Sequence, residues 1–139
     1  MSAPGPILAL RTAILAALAG DATLADLFGG TIRIHDEPPR GAEPVYALFG
    51  RVMARDASSE GVRAHAQEAD IVVWSRPGSA AAGLAVADRI ATLLDDADLT
   101  LSGHRLIRLR VAESGATRDA GSGAARAWLR LSALTETVI

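Results

Sequence analysis

The sequence predicts an α+β fold: a mixed, mainly antiparallel sheet of about five strands covered by two main helices, in the order α-β-β-β-α-β-β. Three observations carry that expectation. Two stretches repeat apolar residues at helical spacing. Several others alternate at strand spacing or run apolar between turn residues. Most of these strands follow one another without a helix that could serve as a crossover, which excludes an all-parallel sheet.

The first helix starts at Pro6, a residue suited to a first helical turn, and carries Ile7, Leu10, Ile14, Leu15 and Leu18 before Gly20. Asp21 is set to cap a short second helical piece with Leu24, Leu27 and Phe28, which Gly29 and Gly30 stop; the two pieces form one N-terminal helical unit. Thr31 to His35 reads as a short strand, and the proline-rich run from Asp36 to Pro44 as an extended loop. Val45 to Ala54 and Arg63 to Ser75 read as an antiparallel pair joined by a polar, mobile tip at 55–62. Ala69, Ile71 and Val73 share one face of the second of these strands, with Asp70, Val72 and Trp74 on the other.

Pro77-Gly78 turns the chain and Ser79 is expected to cap the second long helix, whose stripe is Leu84, Ala87, Ile90, Ala91 and Leu94. Asp95, Asp96 and Asp98 mark its end, where carboxylates are unfavourable. After Gly103, alternation sets Ile107, Leu109 and Val111 against Leu106, Arg108 and Arg110, and Leu129, Leu131 and Ala133 against Arg126, Trp128, Arg130 and Ser132. The glycine-bearing run from Ser114 to Ala125 is too flexible in composition for a core and is expected to project as a hairpin arm.

At 139 residues, with 50% apolar and 22% charged, the chain is expected to fold as one domain over 1–139. It has no cysteine, which removes disulfides, thiol nucleophiles and thiolate metal sites and leaves cytoplasmic assembly as the expectation. A formal net charge of -2 argues against a dedicated nucleic-acid binder, although a local basic stripe is compatible with it. No basic residue precedes the apolar start and Arg11 interrupts it, so no secretory signal is expected. No apolar run approaches the ~20 residues of a membrane span, so no membrane partner is expected either.

The residues offer little chemistry. His35, His65 and His104 lie far apart without ligand-spaced neighbours, and Asp95, Asp96 and Asp98 lack the glycine turn and distal glutamate of a calcium loop. Gly121-Ser122-Gly123 lies outside the strand-turn-helix context of a hydrolase elbow. Without a lysine there is neither a Walker-type phosphate loop nor Schiff-base chemistry. No catalytic residue, metal site or cofactor is therefore expected. What stands out is arginine. Arg108 and Arg110 on one strand, with Arg126 and Arg130 on its partner, share a sheet face, and Arg118 and Asp119 sit on the arm between them. That face reads either as a solvated surface with cross-strand ion pairs, as a subunit interface where arginine meets a neighbour's carboxylates, or as a phosphate-facing stripe.

Several short motifs in order carry a resemblance. They are Leu27-Phe28-Gly29-Gly30, Arg33-Ile34-His35-Asp36, Leu48-Phe49-Gly50, Ile71-Val72-Val73-Trp74-Ser75-Arg76, Leu101-Ser102-Gly103-His104-Arg105-Leu106, Arg118-Asp119 and Arg130-Leu131-Ser132-Ala133-Leu134-Thr135-Glu136. In this order, almost end to end, the chain resembles the tail completion family of long-tailed phages and its relatives in alphaproteobacterial gene transfer agents. It departs from the family pattern at His35, where a tyrosine is commoner, at Pro44, displaced by one residue, and at Ala120, where an aspartate often follows.

The resemblance implies a structural virion or gene-transfer-agent protein and not an enzyme. It implies a tail terminator whose hexameric ring caps the tail tube protein, stops its polymerisation and meets the head-tail connector, or stopper, on the opposite side. DNA would pass through the lumen without sequence-specific binding. Two other classes compete: a small-ligand-binding or regulatory α/β domain, marked by an apolar pocket with convergent polar groups, and an enzyme using scattered carboxylates, marked by a cleft with perturbed acids.

Overall fold

The computed structural model describes residues 3–41 and 43–138. Its elements are α1 (Pro6–Ala19), α2 (Ala22–Leu27), β1 (Ile34–His35), β2 (Val45–Asp56), β3 (Ala64–Ser75), α3 (Ala80–Leu94), β4 (Thr100–Leu101), β5 (His104–Arg118) and β6 (Ala125–Thr137). The fold is α+β as expected, with a sheet of six strands in the order β1-β2-β3-β6-β5-β4. Only β1 and β2 run parallel; every other neighbouring pair is antiparallel. The expected order gains two small elements. The second helical piece is a separate helix, α2, and Ser102-Gly103 turns the two-residue β4 back onto β5, with φ 75° at Gly103.

The helices lie on one face of the sheet. Leu10, Ile14 and Leu18 of α1 and Val86, Ile90 and Leu94 of α3 pack with Ile71, Val73, Leu129 and Leu131 into one core. Helix α2 is capped as the sequence indicates: the Asp21 carboxylate accepts from the Leu24 amide at 2.8 Å. Arg89 of α3 adds two bonds to the same carboxylate, at 2.9 and 2.8 Å, and this pairing holds Asp21 below the usual carboxylate range.

Four local expectations are corrected. Ser79 stands at the N-cap of α3 but makes no capping bond, because its ψ of 17° departs from the extended conformation that aims a cap at the helix amides. Leu84 is 46% exposed; Gly83 and Val86 face the core instead, since Gly83 lets the helix approach Ser75, whose Oγ would lie 2.7 Å from an added Cβ. The run from Ser114 to Arg118 is paired strand, so the loop of the expected arm shrinks to 119–124. Finally, β5 is irregular between Leu106 and Arg108 and again between Val111 and Glu113. An extra residue in one strand reverses the alternation. Ile107 is therefore 46% exposed, while Leu106 joins Leu109 and Val111 against the core.

Candidate interaction surface

The face of the sheet away from the helices is assigned pair by pair through the register. On β6, Arg126, Trp128, Arg130, Ser132 and Leu134 alternate with the buried Ala127, Leu129, Leu131 and Ala133. On β5, Arg108 stands opposite Leu134, Arg110 opposite Ser132 and Glu113 opposite Arg130. Arg108, Arg110, Arg126 and Arg130 thus come to one face together with Trp128. The bulge at Ile107 does not disturb this, because it falls before Arg108.

These arginines are not equivalent. Asp70 of β3 is directly across from Arg130, and its carboxylate accepts from Arg130 Nε at 3.0 Å and Nη2 at 3.4 Å, while Nη1 reaches Glu113 at 3.1 Å. The Asp70 bond, followed by the attraction of the same carboxylate, raises the Arg130 guanidinium pKa above its usual value. Arg130 also sits over the Trp128 ring, 6.0 Å from the centroid. Arg105 pairs with Glu136. Among the described residues, Arg108, Arg110 and Arg126 form no ion pair. The face therefore combines a cross-strand network fixed around Arg130 with three arginines whose charge is open to a partner.

Trp128 packs directly over Gly115, which leaves it room because it has no side chain. A Cβ there would come within 2.5 Å of Trp128 Cζ2. Sequence reasoning took Gly115 for flexibility and overlooked Asp70 and Glu113. For two of the three the signal was present: a glycine inside a strand marks close approach, and Asp70 is the one charge in the run Ala69–Trp74.

Arg118 and Asp119 stand apart from this face. Arg118 pairs with Ala125, which alternates with buried Ala127, so it points to the helix side at the far end of the hairpin. Its Nη1 donates to the Gly123 carbonyl at 3.4 Å. Asp119 accepts from Ser122 Oγ at 2.7 Å and from its amide at 2.9 Å, which lowers its pKa and shapes the turn. The β5–β6 turn lies at the Ser75 end of β3, while the β2–β3 turn lies at the Ala64 end, so the two hairpin tips project from opposite ends of the sheet.

His35 Nε2 is bonded to Glu43 at 2.6 Å, with Arg33 Nε 3.5 Å from the same carboxylate. Among the described residues no three His, Cys, Asp or Glu side chains gather as a metal site would require. A concavity of about 530 Å³ at the β2–β3 tip is an open hollow lined by Asp56, Ser58, Arg63 and His65. No helix in the described residues is long and apolar enough to cross a membrane.

The sequence pattern of the family described as Tail completion protein gp17 matches residues 12–136. A comparison with curated proteins finds no match. Among solved structures, the chain is similar to one in the "Virion of native gene transfer agent (GTA) particle", at 29% identity and a TM-score of 0.84, over 94% of this chain and 96% of that one. With the ordered motifs, the α+β topology and this match over nearly its whole length, the chain belongs to the tail completion protein family and is a structural tail protein.

Proposed function

We propose that the protein is a tail terminator: a hexameric ring that sits on the last ring of the tail tube, stops its polymerisation and presents its other surface to the head connector. The observation that carries this reading is the end-to-end likeness to a chain of a gene transfer agent virion, alongside family membership. The two hairpin tips at opposite ends of the sheet support it, because a ring between two partners needs a contact element on each axial side. Arg118 and Asp119 belong to one of these tips. Arg108, Arg110, Arg126 and Arg130 belong to the uncovered face, where the guanidiniums of Arg108, Arg110 and Arg126, which form no ion pair among the described residues, suit carboxylates of a neighbour. The role is architectural and calls for no catalytic residue or cofactor. Assembly takes place in the bacterial cytoplasm, and DNA passes through the lumen without sequence-specific contact.

Electron microscopy of particles made without this chain tests the reading. Overlong or headless tails are expected. Tails of normal length joined to heads would refute it.

A further inference from the structure

Among the described residues, two backbone edges of the sheet stay open. The short β1 covers β2 only at Ala47 and Leu48, so among the described residues, beyond an irregularity at Gly50 and Arg51, the run Val52–Asp56 is paired on the β3 side alone. At the other edge, β4 covers His104 and Arg105, and the segment after α3 reaches β5 through Asp96 N to Leu109 O and through Val111 N to Asp95 Oδ1. Beyond them, after the irregularity at Ala112, Glu113–Arg118 has only β6 as a neighbour among the described residues. Both stretches lack proline, and residues 112–118 are exposed apart from the half-buried Gly115. A sheet edge of that length presents unmade backbone bonds and is a template for another strand.

We propose that these two edges pair with each other between copies of this chain, Ala112–Arg118 of one against Gly50–Asp56 of the next, antiparallel and head to tail. The proposal rests on the ring reading and deepens it by naming the contact that closes the ring.

Strand direction, side-chain faces and closure each support it. The pairings β2–β3, β3–β6 and β6–β5 are all antiparallel, so β2 and β5 run in opposite directions. A copy generated by rotation about an axis roughly along the strands therefore brings its β2 to β5 antiparallel, and the alternation continues unbroken. On β5, Glu113, Gly115 and Thr117 stand on the uncovered face; on β2, Arg51, Met53 and Arg55 do so by alternation with Val52, which packs against the core. Setting Glu113 opposite Arg55 and Thr117 opposite Arg51 keeps like faces together, with the irregular residues Ala112 and Gly50 falling at the two ends of the paired stretch. A slip of one residue would reverse every side chain. This register puts Glu113 opposite the exposed Arg55, an opposite-charge pair across the strands. Only Oε2 of Glu113 is held by Arg130, leaving Oε1 free for it.

Closure is the most selective of the three. Within one copy, Glu113 is level with Arg130 and Asp70, and Asp70 lies between the pairs Phe49↔Ile71 and Val52↔Ala69, hence beside Gly50 or Arg51 of β2. Pairing Glu113 with Arg55 of the next copy offsets it by about four to five residues, ~15 Å along the strands for ~19 Å across four of them. That slope is a strand tilt of about 38°, inside the 35–45° at which sheets close on themselves. The tilt this contact requires is therefore one at which a ring of copies can close.

The absence of cysteine makes disulfide trapping clean. In the proposed register Thr117 and Arg51 are opposite on the uncovered face, and Ser114 and Ala54 opposite on the other. Thr117→Cys with Arg51→Cys, and separately Ser114→Cys with Ala54→Cys, are introduced into the full chain, and purified tail particles are oxidised and run on non-reducing gels. Each double variant is expected to give a ladder ending in a covalent ring, whereas each single variant stays a monomer. Particles that hold the chain as a ring by electron microscopy, yet give no ladder with either pair, would overturn the edge pairing and leave the ring reading standing. Particles holding the chain as a single copy would overturn both.

Discussion

Gly115→Ala tests the packing of the uncovered face. In an ordinary strand this change stabilises by about 0.5–1 kcal/mol, since alanine loses less backbone freedom on folding. Here the added Cβ would lie 2.5 Å from Trp128 Cζ2 and 2.7 Å from Cε2, both in a rigid ring. The indole must retreat by roughly 1 Å to regain normal contact, and it then loses its place under Arg130. Overpacking of this kind costs about 1–3 kcal/mol, so the net effect is a loss of up to about 2.5 kcal/mol, centred on about 1 kcal/mol. For a chain of 139 residues the entropy of unfolding is about 0.3 kcal/mol/K, and the midpoint falls by about 4 °C, and by at most about 8 °C. Thermal unfolding followed by circular dichroism measures it. In a Trp128→Ala background the same change should become neutral or stabilising. A raised midpoint in the wild-type background, or an equal loss in both backgrounds, would refute the assigned clash.

Two further outcomes follow from the core and from Asp21. Ile90→Ala removes a fully buried side chain of α3 and should cost about 2–5 kcal/mol in denaturant unfolding, whereas Leu84→Ala, at 46% exposure, should stay within about 0.5 kcal/mol. Equal effects would mean that α3 turns a different face to the sheet. Hydrogen bonding, chiefly from Arg89, holds Asp21 below its ordinary 3.8, so its folded pKa is lower than its unfolded one. Its contribution is therefore complete above about 3.8 and is lost as pH falls through the lower folded value. The midpoint of Asp21→Asn should lie below that of the wild type at neutral pH and converge with it in acid; a gap that persists or widens in acid would contradict the pairing.

Much of the fold was legible because its signals are local. The alternation of Ala69, Ile71 and Val73 is a period the chain carries within one strand, and Asp21 caps from three residues away. What escaped was set by distant partners. Ser114 to Arg118 reads as loop because glycine and small residues weaken a strand alone; it becomes strand because β6 pairs with it and Trp128 fills the space over Gly115. The alanine-rich α3 offers nearly equivalent stripes, and the choice falls to Gly83, which admits Ser75. On the arginine face, alternation was enough to gather Arg108, Arg110, Arg126 and Arg130. That Arg130 is tied down and the others are not depends on Asp70, 60 residues earlier in the chain.

The arrangement of the aromatic residues on the sheet has an experimental consequence. Both tryptophans, Trp74 and Trp128, fall on the uncovered face, and none lies in the helix-packed core. Emission from the intrinsic fluorophores therefore reports the surroundings of that face and is nearly blind to the α1–α3 side. A blue shift on mixing the protein with a purified tail component would be an optical signature that this face has been covered, obtained without any label. Because Trp128 sits beside Arg130 and over Gly115 on β5, it should respond first to whatever docks along that strand.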